Sequence, residues 1–194
     1  MIRLALMRHG HTAWNRAGRI QGRTDIPLDE AAKTDLSRLM LPPLWSGADL
    51  YASPLMRAVD TARIVADTAP QTSPALIEMD WGRWEGKFGA QLRADPSSGY
   101  RDIETWGWDY TPPDGEPPAA LRDRLLPWVA TLQADSLVVS HIGVMRVLLA
   151  IATGWAFTGP APFRIKRNRL YIIDVTSKGW DFHAEPVRLV ERPS

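Results

Sequence analysis

Short runs of apolar, β-favouring residues alternate along the chain with longer stretches whose apolar positions recur at helical spacing. The strand-like runs are 2–7 (IRLALM), 49–53 (DLYAS), 137–140 (LVVS) and 170–175 (LYIIDV), with a weaker candidate at 75–79. Between them, 28–41 places Leu36, Leu39 and Met40 on a helical pattern with Asp29 as its N-cap. Ser53 is set to cap a second helix and Pro54 to occupy its first position, ahead of a stripe of Leu55, Val59, Ala62 and Ala66. Residues 118–132 and 142–152 complete the helices. This alternation predicts an α/β fold, a three-layer α/β/α sandwich around a mainly parallel sheet.

Residues 87–118 break the pattern. They hold turn chemistry (DPSSG, PPDG) together with Trp106, Trp108 and Tyr110, so the segment is expected to be an irregular loop or cap over the active site rather than a linker. With no repeat or linker, residues 1–194 are expected to form one domain, long enough to bury roughly 70% of the unfolded chain's surface.

Composition narrows the function classes. The chain is 45% hydrophobic and 23% charged with a net charge of +1, which gives no reason to expect a polyanionic partner such as nucleic acid. It has no cysteine, which excludes disulfides, thiolate metal sites and a cysteine nucleophile. The apolar opening is too short for a signal-peptide core, and the longest apolar run, 144–157, is broken by Arg146 and falls short of the roughly 20 residues that span a bilayer. A cytoplasmic protein with no membrane partner is expected; the oligomeric state is not readable.

Three strand ends carry groups suited to phosphate. The first delivers Arg8 and His9, the second leads through Ser53 to Arg57, and the third delivers His141 just before a helix. Ligands of open α/β sheets bind at the carboxyl ends of strands, so these groups meet if the strands are neighbours. Arginine forks match phosphate oxygens, helix N-termini add donors, and a neutral imidazole can carry a phosphoryl group covalently. The leaving oxygen still needs a proton donor, for which Glu78 and Glu85 in LIEMDWGRWEG are the candidates.

These residues resemble the histidine phosphatase superfamily, the phosphoglycerate-mutase-like proteins. The opening LMRHGHTAWNRAGRIQGRTDIPLDE is similar to its nucleophile motif and SPLMRAVDTA to its second arginine motif. LIEMDWGRWEG resembles the acidic motif, DGEPPAALRDR a Gly-Glu stretch before a helix, and VVSHIGVMRVLL the second histidine motif, all in family order. The resemblance implies His9 as phosphoryl acceptor, with Arg8, Arg57 and His141 holding the transferring group and Asn15 contacting the nucleophile side of the phosphate pocket. It implies Glu78 as general acid and Glu85 as a supporting residue, with no metal and no cofactor. Ile142 stands where the family often has glycine, keeping the backbone donor for substrate while adding a branched side chain. The mutase branch's arginine pair is absent, with only isolated Arg93 and Arg101 in that region, so hydrolysis of a small-molecule phosphate monoester is expected over mutase activity. The alternatives are phosphoglycerate-mutase-type transfer and a non-catalytic phospho-ligand-binding module.

Other polar residues invite plainer readings. His11 is expected to be supporting or solvated and His183 to have no role in the site. Arg146 is expected to pair with a carboxylate, and Arg19 and Arg23 are read equally as pocket rim or solvated loop charge. Trp81, Trp84, Trp106 and Trp108 are read equally as core and as lining the pocket mouth, where they would favour an apolar or planar leaving group.

Overall fold

The structure, a computed structural model, describes residues 1–193. The chain runs β1 (Ile2–Arg8), α1 (Ala13–Ala17), α2 (Glu30–Ser37), β2 (Leu39–Met40), β3 (Asp49–Ala52), α3 (Met56–Ala66) and β4 (Gln71–Thr72). It continues through α4 (Gly89–Ala94), α5 (Pro118–Val129), β5 (Ser136–Ser140), α6 (Ile142–Thr153), β6 (Arg169–Thr176), β7 (Gly179–Phe182), β8 (Val187–Arg188) and β9 (Val190–Glu191). The main sheet has the order β4-β3-β5-β1-β6-β7, with β8 also on β6. Its β4-β3-β5-β1 half is parallel, while the β1–β6, β6–β7 and β6–β8 pairings are antiparallel, so the sheet is mixed.

Alternation along the central strands builds the two cores. Leu4, Leu6, Val138, Tyr171 and Ile173 point to the face covered by α5 and α6, whereas Ala5, Met7, Leu137, Val139 and Ile172 point to the face covered by α2 and α3. Each fully buried Leu or Val contributes about 1.5–3 kcal/mol, so both faces need their helical layer. The expected three-layer α/β/α fold is therefore present.

Several local expectations give way to tertiary pairing. Residues 75–79 are not a strand: Pro74–Leu76 forms a 3-10 turn, tied down where Ser140 Oγ donates to the Leu76 carbonyl at 2.7 Å. Asp29 caps α2 as expected, accepting from the Ala32 N–H at 2.7 Å, but the helix stops at Ser37 because Leu39–Met40 pairs with Val190–Glu191. Ser53 does not cap α3. The helix begins at Met56, whose N–H donates to Asp25 Oδ1 at 2.9 Å, which leaves Ser53 to the site.

Residues 87–118 are more ordered than their composition suggests, holding α4 and a 3-10 turn at Pro96–Ser98. Trp84 and Trp106 are buried in the α5–α6 core, with Tyr100 and Tyr110 packed at 5.1 Å ring separations; Trp108 lies half-buried against Phe157. No helix among the described residues is long and apolar enough to cross a membrane.

Candidate active site

The register of two parallel strands sets the two histidines side by side. Arg8 on β1 pairs with Ser140 on β5, the His9 N–H donates to the Ser140 carbonyl at 2.9 Å, and the next residue on each strand is a histidine. The His9 and His141 rings stand 5.1 Å apart, and both are buried.

Hydrogen bonds define what each ring offers. His9 Nδ1 lies 2.6 Å from the Gly10 carbonyl; a carbonyl only accepts, so Nδ1 carries the hydrogen and Nε2 presents its lone pair. His141 Nε2 lies 2.7 Å from Ser53 Oγ, which also accepts the Leu55 N–H at 3.3 Å. Oγ accepts from Leu55 and has its own hydrogen to give to Nε2, which assigns the His141 hydrogen to Nδ1, a buried atom with no partner among the described residues. Arg8 Nε is likewise buried without a partner.

The site is cationic. Burial holds the His9 and His141 imidazoles well below their usual value, and the nearby Arg57 and Arg8 guanidiniums act in the same direction. Arg8 itself is pushed down to about 9, chiefly by burial and next by Arg167. Both imidazoles are therefore neutral near neutral pH, the form that offers a lone pair.

Arg57, in the first turn of α3, is 1% exposed and donates to the Thr24 carbonyl at 2.9 Å and the Gly22 carbonyl at 2.7 Å. That loop is held by Glu85, whose carboxylate accepts from the Arg23 N–H at 2.7 Å and the Thr24 N–H at 2.9 Å. Gly22 has φ +57°, and a Cβ there would sit 1.8 Å from Glu85 Oε1, so only glycine fits. Glu85 thus positions Arg57 through the loop, in line with the supporting role expected of it.

Glu78 is buried at 4% exposure rather than solvated. Its Oε1 accepts from the Met79 N–H at 2.8 Å and its Oε2 from the Gly143 N–H at 3.1 Å in the first turn of α6. Burial raises its pKa; the two N–H donors and the Arg57 and Arg8 charges only partly oppose this. A carboxyl group that holds its proton beyond the usual carboxylate range suits an acid. Its backbone is fixed from outside: Arg124 on α5 donates to the Ile77 carbonyl at 2.7 Å and the Glu78 carbonyl at 3.1 Å, while its Nε donates to Glu116 Oε1 at 3.0 Å. Arg23 joins this network, donating to the Glu78 carbonyl at 3.2 Å and pairing with Glu116 and Asp80. It is therefore not a solvated loop charge.

Asn15 has its amide engaged by the protein: Oδ1 accepts from Arg167 at 2.9 Å and from the Thr12 N–H at 3.3 Å, completing a capping box on α1. Arg167, which the sequence pattern did not single out, also donates from Nε to the His9 carbonyl at 3.1 Å. The only signal for it was a cluster of cations just before β6. Ile142 opens α6 and lines a cavity with Arg146. Arg146 departs from expectation, because it makes no ion pair among the described residues: α6 turns it toward a cavity wall whose one carboxylate, Glu104, does not reach it in bonding geometry.

Arg19 lies exposed over the Phe88 ring at 4.6 Å, His11 is part-buried, and His183 pairs with Asp174 at 3.0 Å away from the His9–His141 pair. Trp81 and Trp106 share a second cavity with Arg146. Among the described residues no three His, Asp or Glu side chains group as metal ligands.

The chain is similar to known proteins along most of its length. The histidine phosphatase superfamily (branch 1) matches over residues 4–185. An acid phosphatase of Mycobacterium tuberculosis is 32% identical over 79% of this chain and 75% of its own. An adenosylcobalamin/alpha-ribazole phosphatase of Salmonella typhimurium is 31% identical over 90% of this chain and 91% of its own. The crystal structure of a phosphoglycerate mutase from Thermus thermophilus superposes with a TM-score of 0.75 at 29% identity, covering 98% of this chain and all of the other.

Proposed function

Because the chain belongs to the histidine phosphatase superfamily (branch 1), we propose that it hydrolyses small-molecule phosphate monoesters through a covalent phosphohistidine at His9, without a metal or cofactor. His9 Nε2 attacks phosphorus as the bond to the ester oxygen breaks, and protonated Glu78 gives its proton to the departing alkoxide. The Glu78 carboxylate then takes a proton from water, whose oxygen attacks phosphorus and releases phosphate and free His9. Arg8, Arg57 and His141 Nδ1–H hold the transferring oxygens, with Asn15 beside the nucleophile and the Ile142 backbone N–H as a further donor. Charge stabilisation of this kind supplies what phosphoryl transfer needs.

The observation that carries this reading is the Nδ1–Gly10 hydrogen bond, which leaves an unprotonated, unpartnered Nε2 on a buried His9 beside His141. The test is turnover of p-nitrophenyl phosphate in excess chelator, expected for the wild type and absent in a folded His9→Ala variant. Loss on chelation with recovery on adding metal would contradict it. A folded protein that binds phosphate esters without turning any over would instead be a phospho-ligand-binding module.

A second reading, transfer between the hydroxyls of phosphoglycerate, is favoured by the likeness to the Thermus phosphoglycerate mutase. Interconversion of 2- and 3-phosphoglycerate far faster than their hydrolysis would establish it. The name of the Salmonella relative makes an alpha-ribazole phosphate a direct substrate to try. Residues 87–118 would then act as a cap within a single domain, governing entry of the leaving group.

A further inference from the structure

Arg146 has a guanidinium with no acceptor among the described residues. It lies four residues after Ile142 on α6, so the two side chains share a face of the helix, one turn beyond His141. Both line a cavity of about 220 Å³ together with Glu104, Trp155, Phe163 and Arg164. Arg146 is part-buried, and loss of water lowers its pKa, a cost that a structural arginine offsets with a bonded carboxylate. Here Glu78 and Glu104 act on it only through their fields, and its own field reaches Arg8. Ile142 follows His141 directly, so the cavity begins one residue from the proposed phosphate pocket.

The neighbouring surface has the same sign. Phe163 and Arg164 also border a groove of about 440 Å³ where Arg164, Lys166, Arg169 and Arg188 gather with no carboxylate in the wall. None of these four forms an ion pair among the described residues, although the chain as a whole is nearly neutral at +1. Leu170 pairs with Met7, so this segment crosses the same strand end that delivers Arg8.

Resting on the phosphatase reading above, we infer that the leaving alcohol of the substrate carries a second oxyanion, a carboxylate or phosphate. Arg146 receives it with Arg164 behind, while Trp155 and Phe163 flank the carbon skeleton. Arginine binds either oxyanion through two parallel N–H groups, and apolar walls strengthen the contact by excluding water.

The test compares kcat/KM for phenyl phosphate, 3-carboxyphenyl phosphate and benzene-1,3-diyl bisphosphate in the wild type, Arg146→Leu and Arg146→Lys. A meta carboxylate barely alters the leaving phenol, so a preference reports binding. The wild type should favour one or both esters with an anionic arm over phenyl phosphate by about tenfold or more, and which one is favoured identifies the oxyanion. Arg146→Leu should abolish the preference and Arg146→Lys keep part of it. Equal rates on all three esters in the wild type, or a preference unchanged in folded Arg146→Leu, would overturn the inference while leaving the phosphatase reading intact. If Arg146→Leu does not fold, Arg164→Gln takes its place, with a diminished preference expected and an unchanged one counting against the inference. No turnover of any ester by the wild type would instead remove the phosphatase reading beneath it.

Discussion

Gly143 donates its N–H to Glu78 Oε2 at 3.1 Å, and a Cβ added at Gly143 would lie 2.3 Å from Glu78 Oε1. The first turn of α6 is therefore shaped around the proposed acid, and its donors steady the carboxylate once the proton has left. Gly143→Ala must push Glu78 aside. We expect kcat on p-nitrophenyl phosphate to fall about 10²-fold, the scale of a lost general acid, with the folded state retained by circular dichroism. A variant with unchanged kcat would detach Glu78 from the chemistry.

Glu85 acts at one remove. Without it the Gly22 and Thr24 carbonyls lose their tether and Arg57 loses its fixed geometry. Glu85→Ala should raise KM and weaken inhibition by inorganic phosphate about tenfold or more, with Glu85→Gln recovering part of the loss. Phosphate inhibition equal to wild type in Glu85→Ala would show that Arg57 needs no such support.

The pH dependence follows from two opposed shifts. Burial and the surrounding arginines lower His9, so its neutral form persists below the usual histidine value; burial raises Glu78, so its acid form persists above the usual carboxylate value. The competent free enzyme needs neutral His9 and protonated Glu78. The kcat/KM profile should thus have an acid limb below pH 6.5 and an alkaline limb above pH 4.5. Glu78→Gln should slow turnover and erase the alkaline limb, and a limb that survives that change belongs to another group.

Arg167 is one of the cations that lower His9, and it also donates to the His9 carbonyl. Removing that charge raises the His9 pKa, so Arg167→Gln should move the acid limb toward higher pH. An unmoved limb would leave Arg167 only its hydrogen bonds.

The strand ends and the order of Arg8, His9, Arg57 and His141 were legible in the sequence because short-range pattern and strand polarity determine them. The groups holding them were not. Arg167 works through contacts with residues far along the chain and in sequence looks like an ordinary surface charge, while Glu116 and Arg124 stood out only as part of the DGEPPAALRDR stretch, with no role assigned to either. Ser53 reads locally as a helix cap, yet its hydroxyl faces His141, because a buried imidazole needs a partner more than an exposed helix end does. Arg146 on an apolar helix implied a carboxylate partner, and only the packed structure revealed that it has none among the described residues.

The central claim is the covalent intermediate, and it can be seen directly. Metal-free enzyme mixed with p-nitrophenyl phosphate is quenched in alkali within the first turnovers and its phosphate adduct located by mass spectrometry. We expect one phosphoryl group on His9, labile in acid and absent from His9→Ala. Steady turnover with no adduct, or with the phosphoryl group on another residue, would contradict the account.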